Sequence, residues 1–279
     1  MPQLSIVIPA YNNGDYIGAT IESILSQDFT DYELVVADHS STDNTLEVLE
    51  RFASDPRLRV ISTPAGGGAP RNWRRVTEEA TADLVKLVCG DDVLYPGALS
   101  AQVAAFAENP DAVLVASKRD ILDARGETLI AARGLDSLVG VAGGRAAVRA
   151  SVRAGTNLLG EPACVMFRRD ALEAAGGWDG RDPYLIDQAT YSAVLLRGTM
   201  VGLAGPHAGF RVNDGQWSVA LAAEQSRQVR SFHERLRVEN EGLLSRADVA
   251  LGNARATVLA LARRAVYVVF AKRLRAPGD

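Results

Sequence analysis

Short apolar runs alternate with amphipathic stretches through the first 120 residues. Leu4-Ser5-Ile6-Val7-Ile8, stopped by Pro9, reads as a buried parallel strand. Asn12, Asn13 and Asp15 supply turn and capping chemistry ahead of residues 16–25, where Ile17, Ile21, Ile24 and Leu25 share one helical face. The pattern then predicts a strand over 33–37, a helix capped near Thr42 or Asp43 with Leu46, Val48 and Leu49 inward, and a strand over 58–62. A glycine loop (Gly66, Gly67, Gly68), a helix from Pro70 and a strand over 84–88 follow. Pro96 opens a further helix through Leu99, Val103 and Phe106, and 112–116 is another strand. This alternation predicts an α/β fold: a doubly wound, mostly parallel twisted sheet with helices on both faces and right-handed crossovers.

The second half is less regular. Asp123-Ala124-Arg125-Gly126-Glu127 reads as a hairpin turn, and 163–167 as a strand leading into a short helix ended by Gly176-Gly177. Residues 184–197 read as a helix, 199–211 as a pair of short strands, and the chain from Gly215 to near Arg275 as helical.

At 279 residues and 47% hydrophobic, the chain can bury a full core. Its net charge of −4 predicts no general affinity for nucleic acid. Cys89 and Cys164 sit in apolar runs and read as small core residues, and His39, His207 and His233 are too scattered for a metal cluster. No basic leader precedes the first strand, and no uncharged apolar stretch reaches the ~18 residues of a spanning helix, so a cytoplasmic protein is expected.

The candidate chemistry lies at strand ends. Asp91-Asp92 closes the apolar run 84–90, and Asp38 closes Glu33-Leu34-Val35-Val36-Ala37. Adjacent carboxylates at a buried strand tip repel each other unless a cation or a ligand's hydroxyls offset the repulsion. Ligands of open α/β sheets bind outside the carboxyl ends of the strands. Two acidic ends therefore suggest one pocket for a hydroxyl-rich, metal-bound molecule such as a sugar nucleotide.

Six short motifs in order resemble the family 2 glycosyltransferases, inverting enzymes of the GT-A fold. They are Ser5-Ile6-Val7-Ile8-Pro9-Ala10-Tyr11-Asn12, Asp38-His39-Ser40-Ser41-Thr42-Asp43-Asn44-Thr45, Arg71-Asn72, Gly90-Asp91-Asp92, Gly160-Glu161-Pro162 through Arg169, and Gly176-Gly177-Trp178-Asp179. The resemblance implies a nucleotide-sugar-binding half (1–107), an acceptor and catalytic half of the same domain (108–214) and a helical extension (215–279). It also implies a metal-dependent inverting transfer from a nucleoside-diphosphate sugar, of UDP or dTDP type, to a saccharide or lipid-linked hydroxyl in polysaccharide or glycolipid assembly. Pro9, Tyr11, Asp38, Arg71 and Asp91 are implied to hold the nucleotide sugar, with Tyr11 stacking on the base and Asp38 bonding its edge. Asp92 is implied to ligate Mg²⁺ or Mn²⁺, Glu161 and Trp178 to meet the acceptor, and Asp187 to act as catalytic base. Cys89 stands where the family's first D-x-D acid is usual, and Ala189 where a second acid sometimes follows the base.

Other readings of these residues stay open. Asp38 and Asp43 also suit helix caps, Arg71 a surface helix position, and Glu161 an ion pair with Arg168 or Arg169. Asp179 and Asp182 lie close to Asp187 in sequence. A sugar nucleotidyltransferase would carry a Gly-rich basic loop after the first strand, which Pro9-Ala10-Tyr11-Asn12 lacks. A catalytically inactive sugar-nucleotide sensor or scaffold is the rival from another class. Residues 253–279 carry six basic groups against Asp279, +5, which leaves −9 elsewhere. That tail reads as a helix on an anionic membrane surface, making the protein peripheral, or as a helix docked on its own domain or on a second subunit as a homodimer.

Overall fold

The apolar runs of the first half become β1 (Leu4–Ala10), β2 (Tyr32–Asp38), β3 (Leu58–Ser62) and β4 (Leu84–Leu87), paired in parallel in the order β3-β2-β1-β4. We describe a computed structural model, in which residues 1–213, 224–269 and 273–274 are defined. All seven residues of β1 are buried, as a parallel strand covered on both faces requires. The crossovers are α1 (Ile17–Leu25), α2 (Thr45–Glu50) and α3 (Gly68–Thr77), and α1 turns Ile17, Thr20, Ile21 and Ile24 inward.

Beyond β5 (Val93–Leu94) and α4 (Ala98–Glu108), β6 (Ala112–Leu122) folds back through the expected hairpin into β7 (Thr128–Arg133). Next come β8 (Gly140–Gly143), α5 (Gly144–Ala154), β9 (Val165–Arg168), α6 (Arg169–Ala174), α7 (Ile186–Leu195) and β10 (Thr199–Arg211). β9 runs antiparallel between β4 and β6 and joins the two halves into one sheet. Parallel pairing is thus confined to β3-β2-β1-β4 and to β6-β10; β5, β7, β8 and β9 pair antiparallel. The two short strands expected over 199–211 are one long strand, with register shifts between Leu203 and Ala208. Pro206 lacks the N–H that a regular ladder needs there.

Lys86 of β4 is fully buried, and its Nζ donates to Gln102 Oε1 (2.9 Å), Ala163 O (2.6 Å) and Val165 O (3.4 Å). Burial lowers its pKa to about 7. This one amine ties β4, α4 and the turn that follows Glu161.

At the C-terminal end lie α8 (Gln225–Glu239) and α9 (Arg246–Val269). Asp248, almost wholly buried, accepts the Ser245 N–H (3.0 Å) and Arg149 Nε (3.0 Å) and pairs with Arg153, which holds its carboxyl far below the usual range. Further on, Arg273 Nε donates to Asp123 Oδ2 (2.7 Å), and Leu274 packs with Ile121 and Val212. In its described part the tail is therefore a helix docked on its own domain. Ala256 and Ala260 face inward, whereas Val258, which the sequence places on the apolar stripe, is exposed. Residues 215–223 and the stripe's Phe270 lie outside the described residues. Among the described residues no helix is long and apolar enough to cross a membrane.

Helices α9 and α5 approach most closely at Gly252, where an added Cβ would stand 2.2 Å from Val152 O. Gly252→Ala is expected to destabilise the fold by about 1–3 kcal/mol, the usual cost of overpacking. A thermal melt of the variant that matches the parent would show that α9 does not dock as described.

Candidate active site

Parallel pairing brings the carboxyl ends of β1, β2 and β4 to one edge of the sheet, and the loops beyond them are laced together. Asn12 N donates to Ser41 Oγ (2.9 Å), and Asn12 Oδ1 accepts the Thr42 N–H (2.8 Å). Asn13 N donates to Thr45 Oγ1 (2.8 Å), and Gly14 N donates to Asp43 Oδ2 (2.8 Å). On the opposite flank, a Cβ on Gly90 would stand 2.6 Å from Asn13 Oδ1, so a larger residue there would displace the Asn13 side chain. The 11–15 loop thus sits between the β2 and β4 loops. Asn72 locks the same edge from below: its Nδ2 donates to Ala10 O and Ala37 O (both 3.2 Å), and its Oδ1 accepts from Thr63 Oγ1 (2.9 Å).

Within this edge Asp38 is buried. Its Oδ2 accepts the Ser41 N–H (3.2 Å), while Oδ1 has no hydrogen-bond partner. A buried acceptor left open beside an exposed Tyr11 is a place for a ligand N–H. The Tyr11 ring lies edge-on to His39 with centroids 6.0 Å apart, and the His39 Nε2–H donates to Gly66 O (2.9 Å). Arg71 is exposed and donates to Ala65 O (3.1 Å), bracing that glycine loop. Asp43 is the cap expected: burial works against its ionisation, but bonds from Thr45 and Gly14 outweigh that and lower its pKa. Pro9 is a buried strand residue in register with Ala37, so its side chain offers no contact surface and the sequence expectation is corrected.

Asp91 and Asp92 follow β4. Asp92 is wholly buried; Oδ1 accepts the Arg211 N–H (3.0 Å), and Oδ2 has no partner. Asp91 keeps a narrow exposed edge, with Oδ2 accepting from Asn213 Nδ2 (3.1 Å). Burial pushes both carboxyls upward in pKa, and the Asp91 charge pushes Asp92 further. Of the two, Asp91 is the more exposed carboxylate, and Asp92 carries the open oxygen. Among the described residues no group of three or more His, Cys, Asp or Glu is placed to hold a metal ion. A divalent ion bound mainly through a ligand's phosphates needs only one or two carboxylates. The open oxygen and the repelling pair fit that mode.

The second set of charges lies on the other half. Asp187, in the first turn of α7, accepts from Asn157 Nδ2 (2.9 Å) and the Gln188 N–H (2.7 Å). Burial and then the Glu161 charge oppose its ionisation and raise its pKa to about 7. Its neighbours in sequence are otherwise engaged, Asp179 by Arg181 and Asp182 by Arg235. Glu161 pairs with Arg119, Nε to Oε2 at 2.6 Å and Nη2 to Oε1 at 3.2 Å, and not with Arg168 or Arg169. Those two arginines bond backbone carbonyls at Ala112 and Ala82. Cys89 feels Asp92, Asp91, Asp187 and Glu161, which raise its thiol's pKa on top of burial, so the two acidic sets converge on it. Trp178 is core: it is 1% exposed, with Nε1 on Thr77 Oγ1 (2.8 Å) and its ring edge-on to Trp73. Its assignment to the acceptor is corrected by that burial.

Sequence reasoning missed Arg119, Asn157 and Asn213. A charged residue at an inward position of β6 was the one available signal, for Arg119.

An uncharacterised protein of Mycobacterium tuberculosis is 31% identical over 202 residues, 70% of this chain and 63% of that protein. The poly(ribitol-phosphate) beta-N-acetylglucosaminyltransferase TarS of Staphylococcus aureus is 31% identical over 124 residues, 43% of this chain and 22% of TarS. The matched part is thus under two thirds of either relative. The crystal structure of TarS 1–349 in complex with UDP-GlcNAc superposes with a TM-score of 0.70 at 20% identity, covering 91% of this chain and 71% of that one. A mannosyltransferase from Pyrobaculum calidifontis in complex with GDP-Man and Mn²⁺ gives a TM-score of 0.67 at 18% identity, covering 96% and 75%. The mixed α/β sheet has the GT-A arrangement of these structures. The model of glycosyl transferase family 2 matches residues 5–176, more than half of the sequence, and the chain belongs to that family.

Proposed function

We propose that this protein moves a sugar from a nucleoside-diphosphate sugar to a hydroxyl acceptor with inversion, in the assembly of a saccharide or glycolipid. The observation that carries the reading is Asp187, a carboxylate with its pKa raised to about 7, converging with Asp91 on Cys89. A general base works best when its pKa lies near the operating pH. Residues 1–107 bind the donor and 108–214 bring the acceptor to it. The open Oδ1 of Asp38 accepts an N–H of the base, Tyr11 covers its face, and Arg71 stands beside the loop that borders it. UDP is the first nucleotide to test, because TarS is known in complex with UDP-GlcNAc.

Inversion follows from one in-line displacement. Asp187 takes the proton of the acceptor hydroxyl on one face, and the nucleoside diphosphate leaves from the other. Asn157 aims the carboxylate, and Glu161, neutralised by Arg119, borders the acceptor. Asp91 and Asp92 would hold a Mg²⁺ or Mn²⁺ ion, which would supply Lewis-acid stabilisation to the departing diphosphate.

Asp187→Asn is expected to lower kcat by roughly 10²–10⁴-fold with donor affinity nearly unchanged. In the parent, kcat is expected to rise with pH up to about 7 and then level. A flat parent profile from pH 5 to 8 would remove Asp187 as the base.

The same group shapes stability. An acid whose pKa is higher folded than unfolded keeps its proton in the native state between about pH 4 and 7, so native stability falls as pH rises through that window. Denaturant melts of Asp187→Asn are expected to lack this decline, so the variant gains on the parent up to pH 7 and no further above it.

Donor identity is read by thermal shift. UDP and its sugars, with and without Mn²⁺, are expected to raise Tm, since a ligand at 100 times its Kd stabilises by about 2.7 kcal/mol. Nucleoside diphosphates that leave Tm unmoved at millimolar concentration would sink the donor reading.

A further inference from the structure

The acceptor half and the C-terminal helix α9 each hold a cation that the transfer chemistry does not use. Arg133 ends β7, is half-buried, and makes no side-chain hydrogen bond or ion pair among the described residues. Its charged neighbours are Arg119, Glu161, Arg263 and Tyr184. Both Glu161 oxygens are already engaged by Arg119, so that pair is close to neutral. Arg263, on α9, has its Nε buried without a hydrogen-bond partner. The two guanidinium charges thus act on each other beside a neutralised ion pair, and burial and the Arg119 charge lower the Arg133 pKa.

The backbone holds Arg133 there against its own preferences. Ala132 (φ 49°), Leu135 (φ 63°) and Asp136 (φ 46°) all occupy the left-handed region, which side chains with a Cβ disfavour. The loop is pinned from three directions. Ala132 N donates to Asp120 Oδ1 (2.8 Å), Arg119 Nη1 to Arg133 O (3.2 Å), and Leu135 N to Leu158 O (2.6 Å). Backbone strain that collects like charges at one place points to a ligand that offsets them.

We propose that Arg133 and Arg263 form a subsite for an anionic group, phosphate or carboxylate, carried by the acceptor beside the hydroxyl that Asp187 deprotonates. Guanidinium forks match both oxyanions in bidentate geometry. The subsite is assigned to the acceptor because Arg133's neighbours include Glu161 and Tyr184, the latter on the segment leading to Asp187. This deepens the glycosyl-transfer reading and rests on it for the word acceptor.

The test uses the full chain with saturating UDP and Mg²⁺, so that free phosphate groups find the donor end filled. Glycerol phosphate and methyl glucuronide are titrated by thermal shift and calorimetry, with glycerol and methyl glucoside as neutral controls. At least one anion is expected to bind where its control does not, more weakly as salt rises, and the better of the two identifies the source of the charge. Arg133→Gln and Arg263→Gln are each expected to weaken that anion roughly tenfold while leaving UDP affinity unchanged. Should either fail to fold, Arg133→Lys and Arg263→Lys keep the charge and are expected to lose a smaller part of the affinity. Anions that bind no better than the controls, or equally well in the variants, overturn the subsite. Failure of UDP alone to bind strikes the donor reading instead, and the anion titration run without it still decides this proposal.

Discussion

Asp91 and Asp92 stand side by side in the interior at the end of β4, and the surrounding architecture follows from keeping them there. Two desolvated like charges are unfavourable, so the chain brings donors to them from far away in sequence. β10 runs thirteen residues to end with the Arg211 N–H on Asp92, while Arg211 Nε reaches the Asp91 carbonyl (2.9 Å). Asn213 follows directly and reaches Asp91. Arg211 also lies over the Tyr16 ring, 5.0 Å from its centroid, which couples the pair to the start of α1. Holding these acids therefore fixes where β10 ends and how the loop after β1 sits beside them.

The other half solves a related problem in the opposite sense. As the proposed base Asp187 has to stay basic, and its surroundings withhold a full counter-ion. Asn157 donates one neutral hydrogen bond, and Arg119, the nearest strong cation, is held on Glu161. A direct Arg119–Asp187 pair would depress the carboxyl and weaken it as a base. Glu161 thus keeps the arginine off the proposed base.

Much of the first half was legible because its signals are local. Continuous apolar runs such as 4–8 and 58–62 mark buried strands, and each acidic residue just beyond a run lands at the shared edge. Long-range contacts were not legible. Glu161 and Arg119 are 42 residues apart, and nothing in the sequence chooses Arg119 over the adjacent Arg168 and Arg169. β8 and α5 escaped notice because Gly140-Val141-Ala142-Gly143 gives too weak an apolar signal. Trp178 misled for a different reason: a glycine-flanked aromatic looks like a surface feature, but here the turn drives the ring into the core against Trp73 and Phe167.

The antiparallel strand β9 has only four residues, yet it is hydrogen-bonded on both sides, to β4 and to β6. The two halves proposed to hold donor and acceptor are consequently parts of one continuous ladder, which resists any swing about a hinge between them, so their spacing is set at folding.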